Sequence, residues 1–200
     1  MTYLGEGGQI PYLNKQKIIS CAEEVLEKYY GGREFPIDVE EICDELEISI
    51  LPIPGLAKAK HIDAFISMDF TSIYVDSYEY EKDSNRYRFS VAHELGHFFL
   101  HRKYYPRNVK EMGKWIKISQ NILNNYAEFQ ANYFAGSLLV PEEELVRVLD
   151  YEFDGSFVRN YWNASSVELG KILALVRKHF KVSDVVIARR MRDAFPGVGE

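Results

Sequence analysis

The chain has 200 residues, 46% hydrophobic and 14% aromatic, which is enough to bury one domain-sized core and too apolar for wholesale disorder. Its net charge is −6, and no apolar run approaches the ~18 residues of a membrane span, so neither a basic nucleic-acid footprint nor a membrane anchor is expected. The opening stretch MTYLGEGGQIPYLNK has no basic n-region or apolar h-region, and the only cysteines, Cys21 and Cys43, sit among apolar neighbours, so buried free thiols in a cytoplasmic protein are expected.

Residues 1–14 contain Gly5, Gly7, Gly8 and Pro11 and read as a loose start. From Lys15 to Tyr30 the apolar residues Ile18, Ile19, Ala22, Val25, Leu26 and Tyr29 recur at helical spacing, and Gly31-Gly32 stop the helix. Residues 38–47 predict a short helix capped by Asp38. The run ISILPI, 48–53, predicts a strand ended by Pro54-Gly55. Residues 62–67 and 72–76 predict two strands around a turn at 68–71. A helix follows from about Asn85 to Lys103, then a polar loop, then a long helix over 119–138 closed by Pro141. PEEELVRVLD reads as a further helix with acids in its first turn. Gly155 and Asn163 bracket a loop, and residues 166–180 and 184–194 predict two helices joined at KVS with Ser183 as cap. The fold class is α+β, a small sheet with several helices and a helical tail.

Three of the five histidines lie four residues apart in RFSVAHELGHFFLH, 88–101. His93-Glu94-Leu95-Gly96-His97 is an H-E-x-x-H motif. Residues i and i+4 share one helix face, ~6 Å apart along the axis, so two imidazoles can converge on one Zn²⁺. Zinc lowers the pKa of a water it holds toward ~7, and Glu94, beside the first histidine, can take that proton. His101 continues the series, but on an unbroken helix it lies ~12 Å along the axis from His93, too far to share one ion. A structural or substrate-side hydrogen bond suits it better.

The third ligand must come from elsewhere. Glu128 is the best candidate, because no other charged residue occurs between Lys117 and Glu142. Ala131, Asn132 and Ala135 lie on its side of the helix and permit close packing on the histidine helix. A buried carboxylate on such a face needs a partner, and a metal is one. The opposite side carries Ile122, Phe129, Tyr133 and Phe134. A His–His–carboxylate set holds zinc and can also hold manganese.

Two segments, in this order, resemble the ImmA/IrrE-type metallopeptidases: RYRFSVAHELGHFFLH, 86–101, and AEFQANYFAGSLLVP, 127–141. The resemblance implies a zincin-like peptidase core, a small β-sheet packed on helices, over residues 15–155 and a helical, helix-turn-helix-like part over 156–200. It implies metal ligands His93, His97 and Glu128 with Glu94 as general base. It also implies a zinc-dependent endopeptidase acting in the cytoplasm on a protein substrate, a DNA-binding helix-turn-helix repressor of a mobile element or stress response. The rival reading is a metal-containing module that sequesters a partner without cutting it.

The tail 166–194 holds seven basic residues (Lys171, Arg177, Lys178, Lys181, Arg189, Arg190, Arg192) against three acids (Glu168, Asp184, Asp193). It reads first as a solvated basic face around Ile172, Leu175, Val176, Val185 and Ile187, second as a docking surface for an acidic partner, and last as a DNA contact. Arg86 and Arg88 can orient a group near the motif but more readily pair with surface acids. Tyr104, Tyr126, Tyr133 and His101 are the candidates to stabilise an oxyanion, and the sequence does not choose among them.

Overall fold

The computed structural model describes residues 10–31, 34–60, 62–82, 84–105, 109, 111, 113–115, 117, 125–152 and 165–195. In chain order the elements are α1 (Lys15–Tyr29), α2 (Val39–Glu45), β1 (Ser49–Ile53), α3 (Leu56–Lys60), β2 (Ala64–Ile66), β3 (Ser72–Asp76), α4 (Ser77–Lys82) and α5 (Ser84–Gly96). A π-helical turn (His97–His101) and a 3-10 turn (Arg102–Tyr104) extend α5. Then come α6 (Asn125–Leu139), α7 (Glu142–Glu152), α8 (Ser166–Phe180) and α9 (Asp184–Ala194). The fold is α+β, mostly helical.

Local chemistry explains the boundaries. Asn14 caps α1 by accepting from the Lys17 amide at 3.0 Å, and Asp38 caps α2 by accepting from the Glu40 amide at 2.9 Å. Ser165 and Glu168 form a capping box at α8. Ser183 occupies the cap position of α9, but its side chain makes no capping bond. The expected long helix is described only from Asn125; its residues 119–124, and the expected loop between Gly155 and Asn163, lie outside the described residues. The short helices α3 and α4 were not expected.

The sheet has strand order β1-β3-β2, with β1 parallel and β2 antiparallel to β3. All three residues of β2 are buried. Ala64 and Ile66 face the main core, whereas Phe65 joins a second cluster with Leu56, Tyr105 and Trp115. The main core is continuous from α1 to α9 and includes Ile18, Ile42, Ile73, Leu95, Phe134 and Ile187. Ile10, in the segment expected to be loose, is buried as well.

The tail departs from expectation at two residues. Ile172, Val176 and Ile187 are buried as expected, but Val185 is exposed and Arg190 is buried. The core face of α9 is Val186, Ile187, Arg190 and Met191. Arg190 reaches inward because its Nε donates to the Val140 carbonyl at 3.0 Å. Cys43 is buried, Cys21 is partly buried, and both are free thiols. Burial, helped by nearby acids, pushes them up to about 12 and about 11.

Candidate metal centre and active site

Helix α5 carries His93, Glu94 and His97, and it lies directly against α6, which carries Glu128, Gln130 and Asn132. Gly96 sets how closely the two helices approach. A Cβ there would meet the Ala131 Cα at 3.0 Å and the Ala131 carbonyl oxygen at 3.1 Å. Glycine on one helix and alanine on the other thus let the backbones touch, as the small-residue face of α6 suggested.

That contact brings the donors together. The Nε2 atoms of His93 and His97 lie 2.9 Å apart. The Glu128 carboxylate lies 3.5 Å from His93 Nε2 and 3.4 Å from His97 Nε2. Two ligands ~2.0–2.1 Å from a tetrahedral ion are ~3.4 Å apart; the two Glu128 distances match this and the 2.9 Å histidine pair is tighter. His93, Glu94 and His97 likewise offer ligand atoms within 4.8 Å of one another, so two carboxylates flank the histidine pair. They differ in what else they touch. Glu94 Oε2 accepts a hydrogen bond from the Ile66 amide of β2 at 3.0 Å. Glu128 reaches both histidine Nε2 atoms from the facing helix.

Both rings are anchored from behind. His93 Nδ1 lies 3.1 Å from Asn132 Oδ1, and His97 Nδ1 lies 2.9 Å from His101 Nδ1. His101 Nε2 in turn lies 2.9 Å from Gln130 Oε1. With both nitrogens engaged, His101 is a structural partner rather than a substrate contact.

The electrostatics follow the packing. Burial raises Glu94 to about 7, with His93 opposing and Glu128 adding to the rise. Burial lowers His97 to about 3. For His93, burial pulls downward, but the hydrogen bond to Glu128 and the charge of Glu94 prevail and raise it. For Glu128, burial pushes upward, but the hydrogen bond from His93 and the histidine charge prevail and hold it well below the usual carboxylate range. The site thus pairs one ionised carboxylate with a second carboxylate held near neutrality.

The flanking residues have other duties. Arg86 forms a forked pair with Asp63, with contacts at 2.8–3.2 Å, as a surface arginine was expected to do. Among the described residues Arg88 pairs with no acid. It is buried and donates to the carbonyls of Ile37, Phe180 and Lys181 at 2.6, 3.0 and 2.8 Å. It therefore clips the end of α8 to the motif helix. Among the oxyanion candidates, Tyr133 faces α1 and α9, with Lys15 over its ring, and Tyr126 is exposed against Tyr12. The sequence reading passed over Tyr105. Burial first, then the charges of Glu94 and Glu128, push its hydroxyl well above the usual phenol range. No local signal separates Tyr105 from Tyr104; the second core cluster does.

Residues 43–192 match the model of the peptidase family M78, the IrrE N-terminal-like domain. The chain belongs to that family. With it the chain joins the ImmA/IrrE-type metallopeptidases that its two motifs resemble. The M78 match spans both motif helices and runs into α9. The chain is also 30% identical to Metallopeptidase ImmA of Bacillus subtilis (strain 168) over 133 residues, 64% of this chain and 70% of that protein.

Proposed function

We propose that this M78 metallopeptidase is a zinc-dependent endopeptidase that cuts one regulatory protein. His93 Nε2, His97 Nε2 and the Glu128 carboxylate hold the metal, and Glu94 is the general base. The observation that carries the assignment is the convergence of both Nε2 atoms and the Glu128 carboxylate within 3.5 Å. Manganese suits the same donor set.

When bound, the metal supplies Lewis-acid chemistry to a scissile carbonyl and to water. The protein's part is positioning and proton transfer. The Ile66 amide pins one oxygen of Glu94, which leaves the other to take a proton from water. Glu94 then hands that proton to the departing amine. Burial raises Glu94 above the ordinary carboxylate range, which favours its accepting and returning a proton. Asn132 fixes the ring of His93 and Glu128 spans both histidines.

Two features support the substrate reading. The motifs resemble peptidases that act on helix-turn-helix repressors. The helices α8 and α9, joined by only residues 181–183, suit a helix-turn-helix-like part appended to a zincin-like core. No helix among the described residues is long and apolar enough to cross a membrane. A cytoplasmic site of action is part of the proposal.

The test is incubation of purified enzyme with candidate helix-turn-helix repressors, read by intact-mass spectrometry. The parent yields two fragments from one repressor, and Glu94→Gln binds zinc but yields none. Relief of repression by Glu94→Gln would favour the sequestering module instead.

A further inference from the structure

We propose that His101 and Gln130 are positioning residues that present His97 to the metal through a one-directional hydrogen-bond chain anchored on the Pro11 carbonyl. The proposal rests on the reading of His97 as a ligand.

The chain has four members. Gln130 Nε2 donates to the Pro11 carbonyl at 2.9 Å. Gln130 Oε1 lies 2.9 Å from His101 Nε2, and His101 Nδ1 lies 2.9 Å from His97 Nδ1. Its polarity follows from one fixed end. A carbonyl oxygen only accepts, so the amide nitrogen of Gln130 must face Pro11. The Gln130 oxygen therefore faces His101 and accepts, which requires a proton on His101 Nε2. A neutral imidazole with that proton has a bare Nδ1, which accepts from His97 Nδ1. His97 then carries its proton on Nδ1, and its Nε2 lone pair points at His93 Nε2 and Glu128.

Each link has one arrangement only. Gln130, His97 and His101 are all buried, at 0%, 1% and 0% exposure, so solvent is not there to substitute for a missing partner. In many metal sites a carboxylate or backbone carbonyl holds the far nitrogen of a ligating histidine. Here a second histidine relays that function, which orients the ring without adding charge behind the metal.

Two structural features serve the relay. The helix leaves α-winding at His97 and runs as a π-turn to His101, the segment that holds both rings. Such turns recur at functional sites. The anchor is 119 positions from Gln130 in sequence, in the segment before α1. That segment thus supports the metal centre through Gln130.

Two readouts test the proposal. In metal-free protein labelled with ¹⁵N-histidine, long-range proton–nitrogen correlation reports each tautomer. The expected result is a proton on Nδ1 of His97 and on Nε2 of His101; the opposite tautomer at either residue overturns the relay, whether or not metal binds. The second readout is zinc affinity by competition with a chromogenic chelator. His101→Phe and Gln130→Leu are each expected to weaken binding about 10–100-fold. His101→Asn, which keeps an acceptor beside His97 Nδ1, recovers most of the loss. Parental affinity in both His101→Phe and Gln130→Leu overturns the relay while leaving the ligand assignment intact. A parent that binds no zinc removes the ligand assignment, and the tautomers still decide the relay. If His101→Phe does not fold, Gln130→Leu and the parental tautomers carry the decision.

Discussion

Replacing Gly96 with alanine tests whether the close approach of α5 and α6 builds the site. The added methyl would sit 3.0 Å from the Ala131 Cα, 3.1 Å from its carbonyl oxygen and 3.2 Å from Phe134 Cδ1. Two of these are backbone atoms, so no rotamer change relieves them. Ordinary carbon contacts lie at ~3.5–4.0 Å, so α6 must retreat by roughly 0.5–1 Å. Overpacking of this kind costs about 1–3 kcal/mol, and alanine's better helix propensity returns about 1 kcal/mol. The net loss is about 0–2 kcal/mol, a fall in Tm of at most about 8 °C for a chain of this size. Metal binding suffers more. Glu128 and Asn132 flank Ala131 on α6, and metal–ligand distances tolerate only about 0.2 Å. Zinc affinity should fall at least about 10-fold, as measured by chelator competition alongside a thermal melt. Parental affinity in a folded Gly96→Ala protein would refute the claim that this contact sets the donor geometry.

Three further outcomes are expected. Glu94→Gln should keep zinc binding and Tm, because glutamine's oxygen still accepts from Ile66, while peptide cleavage falls about 10²–10⁴-fold; cleavage at the parental rate would remove Glu94 as the base. Arg88→Leu strands the carbonyls of Ile37, Phe180 and Lys181 and should cost about 3 kcal/mol or more, lowering Tm by about 6–12 °C; an unchanged melt would mean those carbonyls find other donors. For Glu144, burial pushes upward, but hydrogen bonds from Arg147 and His179 prevail and hold it below the usual range. A depressed carboxylate stabilises the fold above its unfolded pKa, ~4.3, and loses that contribution as pH falls through the folded value. Denaturant titrations below pH ~4.3 should therefore show a steeper loss in the parent than in Glu144→Gln, and identical profiles would contradict the ion pairing.

Much of this site was legible before any coordinates. The H-E-x-x-H spacing placed His93 and His97 on one face because α5 is regular up to Gly96. The lone charge of Glu128 beside Ala131 and Asn132 pointed to a helix that packs close, and Gly96 against Ala131 is that contact. The strands were legible from composition, and their pairing around the 68–71 turn followed. What failed was whatever depends on irregular winding or tertiary demand. The ~12 Å spacing computed for His101 assumed regular α-winding, which ends at His97. A structural or substrate-side hydrogen bond was expected of it, but its partners, Gln130 and ultimately Pro11, come from elements that no local pattern connects. Arg190 looked solvated because it is charged, yet the Val140 carbonyl draws it inward while Val185 turns to solvent. Helices α3 and α4, of 5 and 6 residues, are too short for periodicity to reveal.

The most direct test of the metal centre is a calorimetric zinc titration of chelator-stripped parent, His93→Ala and Glu128→Ala. The account predicts one tight site per chain in the parent and its loss in both variants, with the fold of each intact by circular dichroism. Tight binding that survives Glu128→Ala would contradict the ligand set and move the third position to Glu94, and a parent with no tight site would contradict the metal centre itself.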